Sequence, residues 1–246
     1  MKHVFRRVAA VAAIVLSTAA AQAEIIDFEQ PAGGPNAQSV PFLYHGDVFL
    51  QGSYYCNVFS NDANAERGDF VGTMIDGNDL STCFSVLCPT NNPSTFYGSL
   101  NDGAVAIGRM DGQSFAVNGF DASFLGASGS SLPPVSGLLR LQGFTSTGAT
   151  LTETFQLAGP NAGGELGFGS YQTSGSFAST LFETVYAFGF ACNAGGTCNA
   201  FSTDRAQFAM DNISVSAVPE PETTALFGLG LVAMVAAVRR RRQQPV

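Results

Sequence analysis

No tryptophan occurs in the 246 residues, the only lysine is Lys2, and there are two histidines, one of them within the first three positions. Seven of the eleven basic residues, Lys2, Arg6, Arg7 and Arg239 to Arg242, crowd the two ends. Arg67, Arg109, Arg140 and Arg205 are left against 19 acids between Glu24 and Glu222, a formal charge of −15 over that stretch. Nucleic-acid binding needs clustered cations to displace counterions from phosphates, and this balance excludes it. An acidic polysaccharide is repelled too, unless divalent cations bridge the two. With His45 as the one histidine of the long middle stretch, a Ser/His/Asp triad or a Cys/His dyad would have to use it. There is no G-x-S-x-G elbow, and Gly126-Ala127-Ser128-Gly129 runs toward Pro133-Pro134 rather than into a helix. No C-x-x-C pair offers a zinc site. Sustained 3.6-residue periodicity and any repeat of fixed period are also missing, which argues against helical bundles, solenoids and propellers. No catalytic residue is assigned, and the chain reads as a non-enzyme.

Short apolar runs separated by turn residues make up the rest. About 195 residues between Glu24 and Val218 suffice for one sizeable core. Strands are predicted at Glu24–Glu29, Val48–Gln51, Tyr54–Phe59, Thr95–Leu100, Val105–Met110, Phe115–Phe124, Gly137–Phe144, Thr150–Ala158, Phe177–Phe190 and Gln207–Ala217. Turns are marked by Asn101-Asp102-Gly103, Asp111-Gly112 and Thr147-Gly148. Residues 61–93 read as a polar, cysteine-bearing insertion with weak strand signals, and 161–175 as a loop. The fold class expected is all-β, an antiparallel, jelly-roll-like β-sandwich over 24–217. Tyr54, Tyr55, Tyr97 and Tyr171 are candidates for a sugar-stacking platform, with ordinary sheet packing as the alternative. Asp69 to Asp79 has acids near Gly77 but lacks EF-hand order, so a solvated turn is favoured. The threonines from Thr145 to Thr154 do not form the repeating array that an ice-binding surface needs.

Both ends read as targeting segments. Lys2, Arg6 and Arg7 precede an apolar stretch from Val8 to Leu16 and an Ala21-Gln22-Ala23 site, the three parts of a secretory signal peptide over 1–23, with the mature chain starting at Glu24. At the other end, over 218–246, Pro219-Glu220-Pro221 is followed by an apolar run from Ala225 to Val238 and by Arg239, Arg240, Arg241 and Arg242. Proline holds the triplet extended, the apolar run suits a single transmembrane helix, and the arginines stay cytoplasmic. This order resembles the PEP-CTERM sorting signal. The resemblance implies an exosortase as partner, a transient tether in the inner membrane, processing near the triplet, and a place at the cell surface or outside the cell. Gln207-Phe208-x-x-Asp211 resembles the motif of a QFxxD subgroup of such proteins, which brings no established activity. The function expected is structural or adhesive, in an exopolysaccharide or biofilm matrix.

The first and last strands also resemble the paired terminal strands of jelly-roll carbohydrate-binding modules. That likeness implies a structural calcium held by Glu29 and Asp211, with a β-bulge at Asp211-Asn212 as the alternative. A calcium-stabilised carbohydrate-binding module is therefore the second function, and a secreted glycoside hydrolase using two carboxylates a third. Export favours disulfides, and Cys83 with Cys88 and Cys192 with Cys198 are the local pairs expected, leaving Cys56 over, either buried as a small apolar residue or paired with one of the four in place of a local loop.

Overall fold

The computed structural model describes residues 22–33, 42–62, 64–83, 86–127, 131–201 and 205–217, with 230 and 234. The signal-peptide residues up to Ala21 and the elements Pro219 to Pro221 and Arg239 to Arg242 lie outside the described residues. Ala23–Ser216 form one compact unit, while Met1–Gln22 and Ala217–Val246 fall into another.

Strands dominate the large unit. In chain order they are β1 (Gln22–Ile26), β2 (Ala32–Gly33), β3 (Phe42–Tyr44), β4 (Val48–Gln51), β5 (Tyr54–Ser60), β6 (Phe70–Asp76), β7 (Val86–Leu87), β8 (Thr95–Ser99) and β9 (Gly103–Arg109). There follow β10 (Phe115–Phe124), β11 (Gly126–Ala127), β12 (Val135–Phe144), β13 (Thr150–Ala158), β14 (Gly169–Gln172), β15 (Thr184–Cys192), β16 (Cys198–Asn199) and β17 (Phe208–Ala217). Sheet A runs β14-β10-β17-β8-β6-β3, with β1 also on β17; sheet B runs β13-β12-β15-β9-β5-β4-β2, with β16 on β15. Paired strands whose register is described are antiparallel, as in β12 with β15 and β5 with β9. Together the sheets make an antiparallel sandwich with almost no helix.

Alternation drives the packing. In β15, Val185, Ala187 and Gly189 are buried while Tyr186, Phe188 and Phe190 are half-buried, the signature of one face inward and one outward. Rings close the interior: Tyr54 of sheet B meets Phe115 of sheet A at 5.2 Å, and Phe49 meets Tyr97 at 6.4 Å. Glycines admit some of these rings. A Cβ at Gly143 would come within 2.3 Å of the Phe182 ring, and one at Gly137 within 2.5 Å of Phe124. The outer face of sheet A is covered as well. Ile75, Phe96 and Ala209 pack with Leu100, Leu125 and the bonded Cys83–Cys88 pair in a second apolar cluster.

Three expectations need correction. Residues 61–93 are not merely an insertion, since β6 lies inside sheet A between β3 and β8 with Val71 to Ile75 all buried. Both faces of β6 are covered, so it shows no polar alternation. The expected loop at 161–175 contributes β14, an edge strand on β10. Within the strand expected at Phe177–Phe190, Gly175–Ala178 form a helical turn and the strand begins only at Thr184.

Candidate functional site

Sheet B leaves its outer face half-exposed and paves it with rings. Tyr55 and Phe59 on β5, Phe144 on β12, and Tyr186, Phe188 and Phe190 on β15 all point outward and are half-buried. Between β5 and β15 the central strand β9 offers only Ala104, Ala106 and Gly108 on that side. This floor lets the flanking rings lean inward: Phe59 and Tyr186 meet edge to face at 5.6 Å across β9, and Tyr186 meets Phe144 at 5.2 Å. Tyr55 lies over Gly108, where a Cβ would come within 2.3 Å of its hydroxyl. Phe188 packs on Phe190 at 5.7 Å and on Phe201 at 5.2 Å.

Polar groups border the rings. The registers put Asn57, Gln142 and Thr152 in one cross-strand row with Tyr186, and Arg140 and Thr154 in the row of Phe188. Arg140 holds its guanidinium 4.8 Å from the Phe190 ring centre, and its Nε donates to Thr154 Oγ1 at 3.0 Å. Asn57 Oδ1 has no hydrogen-bond partner among the described residues.

At the Ser60 end of β5 this pavement meets a cleft of about 360 Å³ lined by Ser60, Asp62, Asp69, Asn101, Asp102 and Phe201, with Phe70 and Val71. Phe201 is shared, lining the cleft and packing on Phe188. Asn101 and Asp102 (both φ 53°) and Phe201 (φ 55°) take left-handed backbone, a conformation costly for a bulky side chain such as Phe201. Asp102 is buried and accepts the Ala206 amide at 2.6 Å, while Asp62 and Asp69 are exposed and accept local amides at 2.8 Å.

Of the four candidate platform tyrosines, only Tyr55 serves this face. Tyr54 and Tyr97 are wholly buried in the core. Tyr171 stacks on Phe120 at 5.5 Å and donates to the Gln156 carbonyl at 2.8 Å. Tyr186 and Phe188 lie in a stretch expected as strand but not as part of a platform. The signal that would have found them is the alternation of large and small residues in 185–190, where polarity does not alternate.

Asp211 is buried and fully engaged. Its Oδ2 accepts Asn92 Nδ2 and Ser94 Oγ, each at 2.7 Å, and its Oδ1 accepts the Asn212 amide at 2.8 Å. Burial pushes its carboxyl above the usual aspartate range, the charge of Asp121 adds to this, and the three hydrogen bonds oppose it. Asn212, at φ 49°, breaks the alternation of β17: Phe208 and Met210 face the core before it, Ile213 and Val215 after it. That is a bulge. Glu29 is exposed and accepts the Thr95 amide at 3.2 Å, so both carboxylates lean on the 92–95 loop. Calcium needs six to eight oxygens. Asp211 has its oxygens committed to protein donors, and among the described residues no group of three or more His, Cys, Asp or Glu side chains is placed to hold a metal. The residues present do not fit the calcium cage that the terminal-strand likeness implied.

Cys83–Cys88 and Cys192–Cys198 are disulfide-bonded, and Cys56 is free and buried, its thiol pushed up by that burial. In the Asp69–Asp79 stretch, Asp69 precedes β6 and Asp76 ends it, so the two lie roughly 20 Å apart along the strand. His45 Nδ1 accepts the Ser60 amide at 3.0 Å, a turn contact. Phe208 of the Gln207-Phe208-x-x-Asp211 motif is a core ring, and the Gln207 carbonyl accepts the Leu125 amide at 3.2 Å. Among the described residues no helix is long and apolar enough to cross a membrane.

The PEP-CTERM protein-sorting motif is found at residues 217–242, the segment that starts where β17 ends. It is the signal of exported proteins sorted by an exosortase-type system. Comparison with curated proteins gives no match. Among solved structures, TmCBM61 in complex with β-1,4-galactotriose aligns with TM-score 0.33 and 7% identity over 66% of this chain and 88% of that one. The CBM22-1 xylan-binding domain of Paenibacillus barcinonensis Xyn10C gives 0.32 and 9% over 81% and 98%. The agarase AgWH50C gives 0.27 and 8% over 74% and 26%. Scores at this level do not establish a shared fold.

Proposed function

We propose that this chain is an exported protein of the cell surface or the extracellular polysaccharide matrix, structural or adhesive in role and without catalytic activity of its own. The sorting motif at residues 217–242 carries this reading. An exosortase processes the chain near Pro219-Glu220-Pro221, and until then the apolar run and Arg239 to Arg242 tether it to the inner membrane. Gln207-Phe208-x-x-Asp211 supports placing it in the QFxxD-motif subgroup. The acidic middle stretch suits a solvated matrix protein that stays apart from nucleic acid and from polyanions.

Replacing Pro219, Glu220 and Pro221 by alanine should leave the chain uncleaved in the inner-membrane fraction. Intact mass of protein recovered from the producing cells reads the outcome, and unchanged release of a shortened chain would sink the proposal. A second reading, a carbohydrate-binding module, is supported by the ring-paved face of sheet B; it does not require the calcium site.

A further inference from the structure

We infer that the outer face of sheet B, from Tyr55 across Tyr186 to Phe144 and on past Phe201 into the adjoining cleft, binds an uncharged polysaccharide strand. This deepens the adhesive reading above and rests on it.

The two outer faces of the sandwich differ. Sheet A hides its outer apolar residues under the segment carrying Cys83–Cys88 and under Phe168, whereas sheet B leaves a continuous set of rings half-exposed. Rings in water are unfavourable unless they serve contact. Their setting selects the occupant. Gln142, Thr152 and Thr154 stand among the rings with amide and hydroxyl groups. A purely apolar partner would strip these groups of water without replacing it. A polyanion would meet a stretch of charge −15 that has no lysine, and a second copy of this chain would bring the same charge against itself.

A neutral sugar polymer matches both chemistries. Its C–H faces lie on rings and its hydroxyls pair with amides, hydroxyls and carboxylates. One cross-strand row, Tyr55–Gly108–Thr184–Phe144, takes three inter-strand steps, about 14 Å. That length accepts a short run of sugars rather than one. Along the strands, past the row of Phe59 and Phe188 and on to Phe201, the same face reaches Ser60, Asp62, Asp69 and Asn101, acceptors and donors suited to hydroxyl groups.

The test uses the full chain in mild detergent, with depletion binding to insoluble cellulose, xylan and agarose and to alginate as a polyanion. Retention is expected on at least one of the neutral polymers and not on alginate. Tyr186→Ala should weaken that retention about tenfold or more, the scale of removing a central aromatic contact. Gln142→Ala, a polar change on the surface, should weaken it severalfold while the melting temperature stays put. It keeps the proposal testable if Tyr186→Ala fails to fold. Binding to none of the neutral polymers would overturn the inference. So would retention indifferent to both substitutions, or a dimer in solution that Tyr186→Ala disperses. None of these results touches the sorting reading, because cleavage at the triplet is read by mass without any glycan.

Discussion

Removing the Asp211 carboxylate should expose how the last strand is held. In Asp211→Ala three donors lose their acceptor, but they do not suffer alike. Ser94 Oγ also contacts Asn92 Oδ1, so its single hydrogen can turn there, and the Asn212 amide sits at an exposed residue where water can reach. Asn92 Nδ2 is the group left buried, on a residue only 9% exposed. One buried unsatisfied donor costs roughly 1–3 kcal/mol. At about 2–4 °C per kcal/mol for a domain of this size, the melting temperature should drop by about 2–12 °C in calorimetry. The double variant with Asn92→Ala should lose less than the two single losses added, since the Asn92 amide that Asp211→Ala orphans is then absent, and Ser94, which loses both acceptors, is only half-buried and can turn to water. Acid provides a second check. A carboxyl raised in the folded state contributes stability below the usual aspartate pKa and loses it as pH rises through the raised value. The gap between wild type and Asp211→Ala should therefore widen on acidification across that window. A single variant within about 0.5 kcal/mol of wild type, strictly additive losses, or a gap that narrows in acid would each refute the account.

Gly143→Ala puts a Cβ against the Phe182 ring, which is fully buried between sheets and cannot swing aside. Overpacking of this kind should destabilise by about 1–3 kcal/mol, read as a lower urea midpoint at unchanged slope; a neutral result would mean that the ring relocates freely. Asp111 is paired with Arg109, whose guanidinium, helped by the Gln113 amide, holds its carboxyl down at about 2. Carboxyl-carbon NMR should show that midpoint, moving up toward the usual aspartate value in Arg109→Ala. The Asp111 carboxylate is exposed, so the ion pair itself adds little stability, and what Arg109→Ala loses comes from the packing of Arg109, whose side chain is 13% exposed and lies over the Tyr54 ring at 5.8 Å.

Strands framed by turn residues or by alternating polar residues were legible in the sequence. The bounds of β4, β10 and β13 agree residue for residue with the expected Val48–Gln51, Phe115–Phe124 and Thr150–Ala158, because turn residues or alternating polar residues frame each one. What hid β6 is the covering of both its faces, which removes the alternation that identifies a strand and leaves only the apolar run Val71 to Ile75 between acids. The sheet-B pavement was hidden for a related reason. In 185–190 both faces are apolar, so polarity says nothing, and only the pairing of β15 with β9 and β12 shows that Tyr186 faces Ala106 on one side and Gln142 on the other. The cleft was less accessible still, since Ser60, Asn101 and Phe201 meet through long-range packing that no spacing reports.

The geometry of β17 ties the sorting signal to the domain. Its C-terminal residue, Ala217, is the first residue of the motif, and the strand sits between β10 and β8 with β1 also paired to it. Phe208, Met210, Ile213 and Val215 bury their side chains in the core, and the Asn212 bulge turns Asp211 onto Asn92 and Ser94. A tether joined to an edge strand would peel that edge under load, exposing unpaired amides. The tether proposed here would draw instead on a strand bonded on both sides and clamped through the Asp211 side chain. The processing proposed near residues 219–221 would fall after the last residue of β17, so it would remove no part of either sheet. All the strands of the sandwich thus lie ahead of the triplet, as the proposed tethering and later release require.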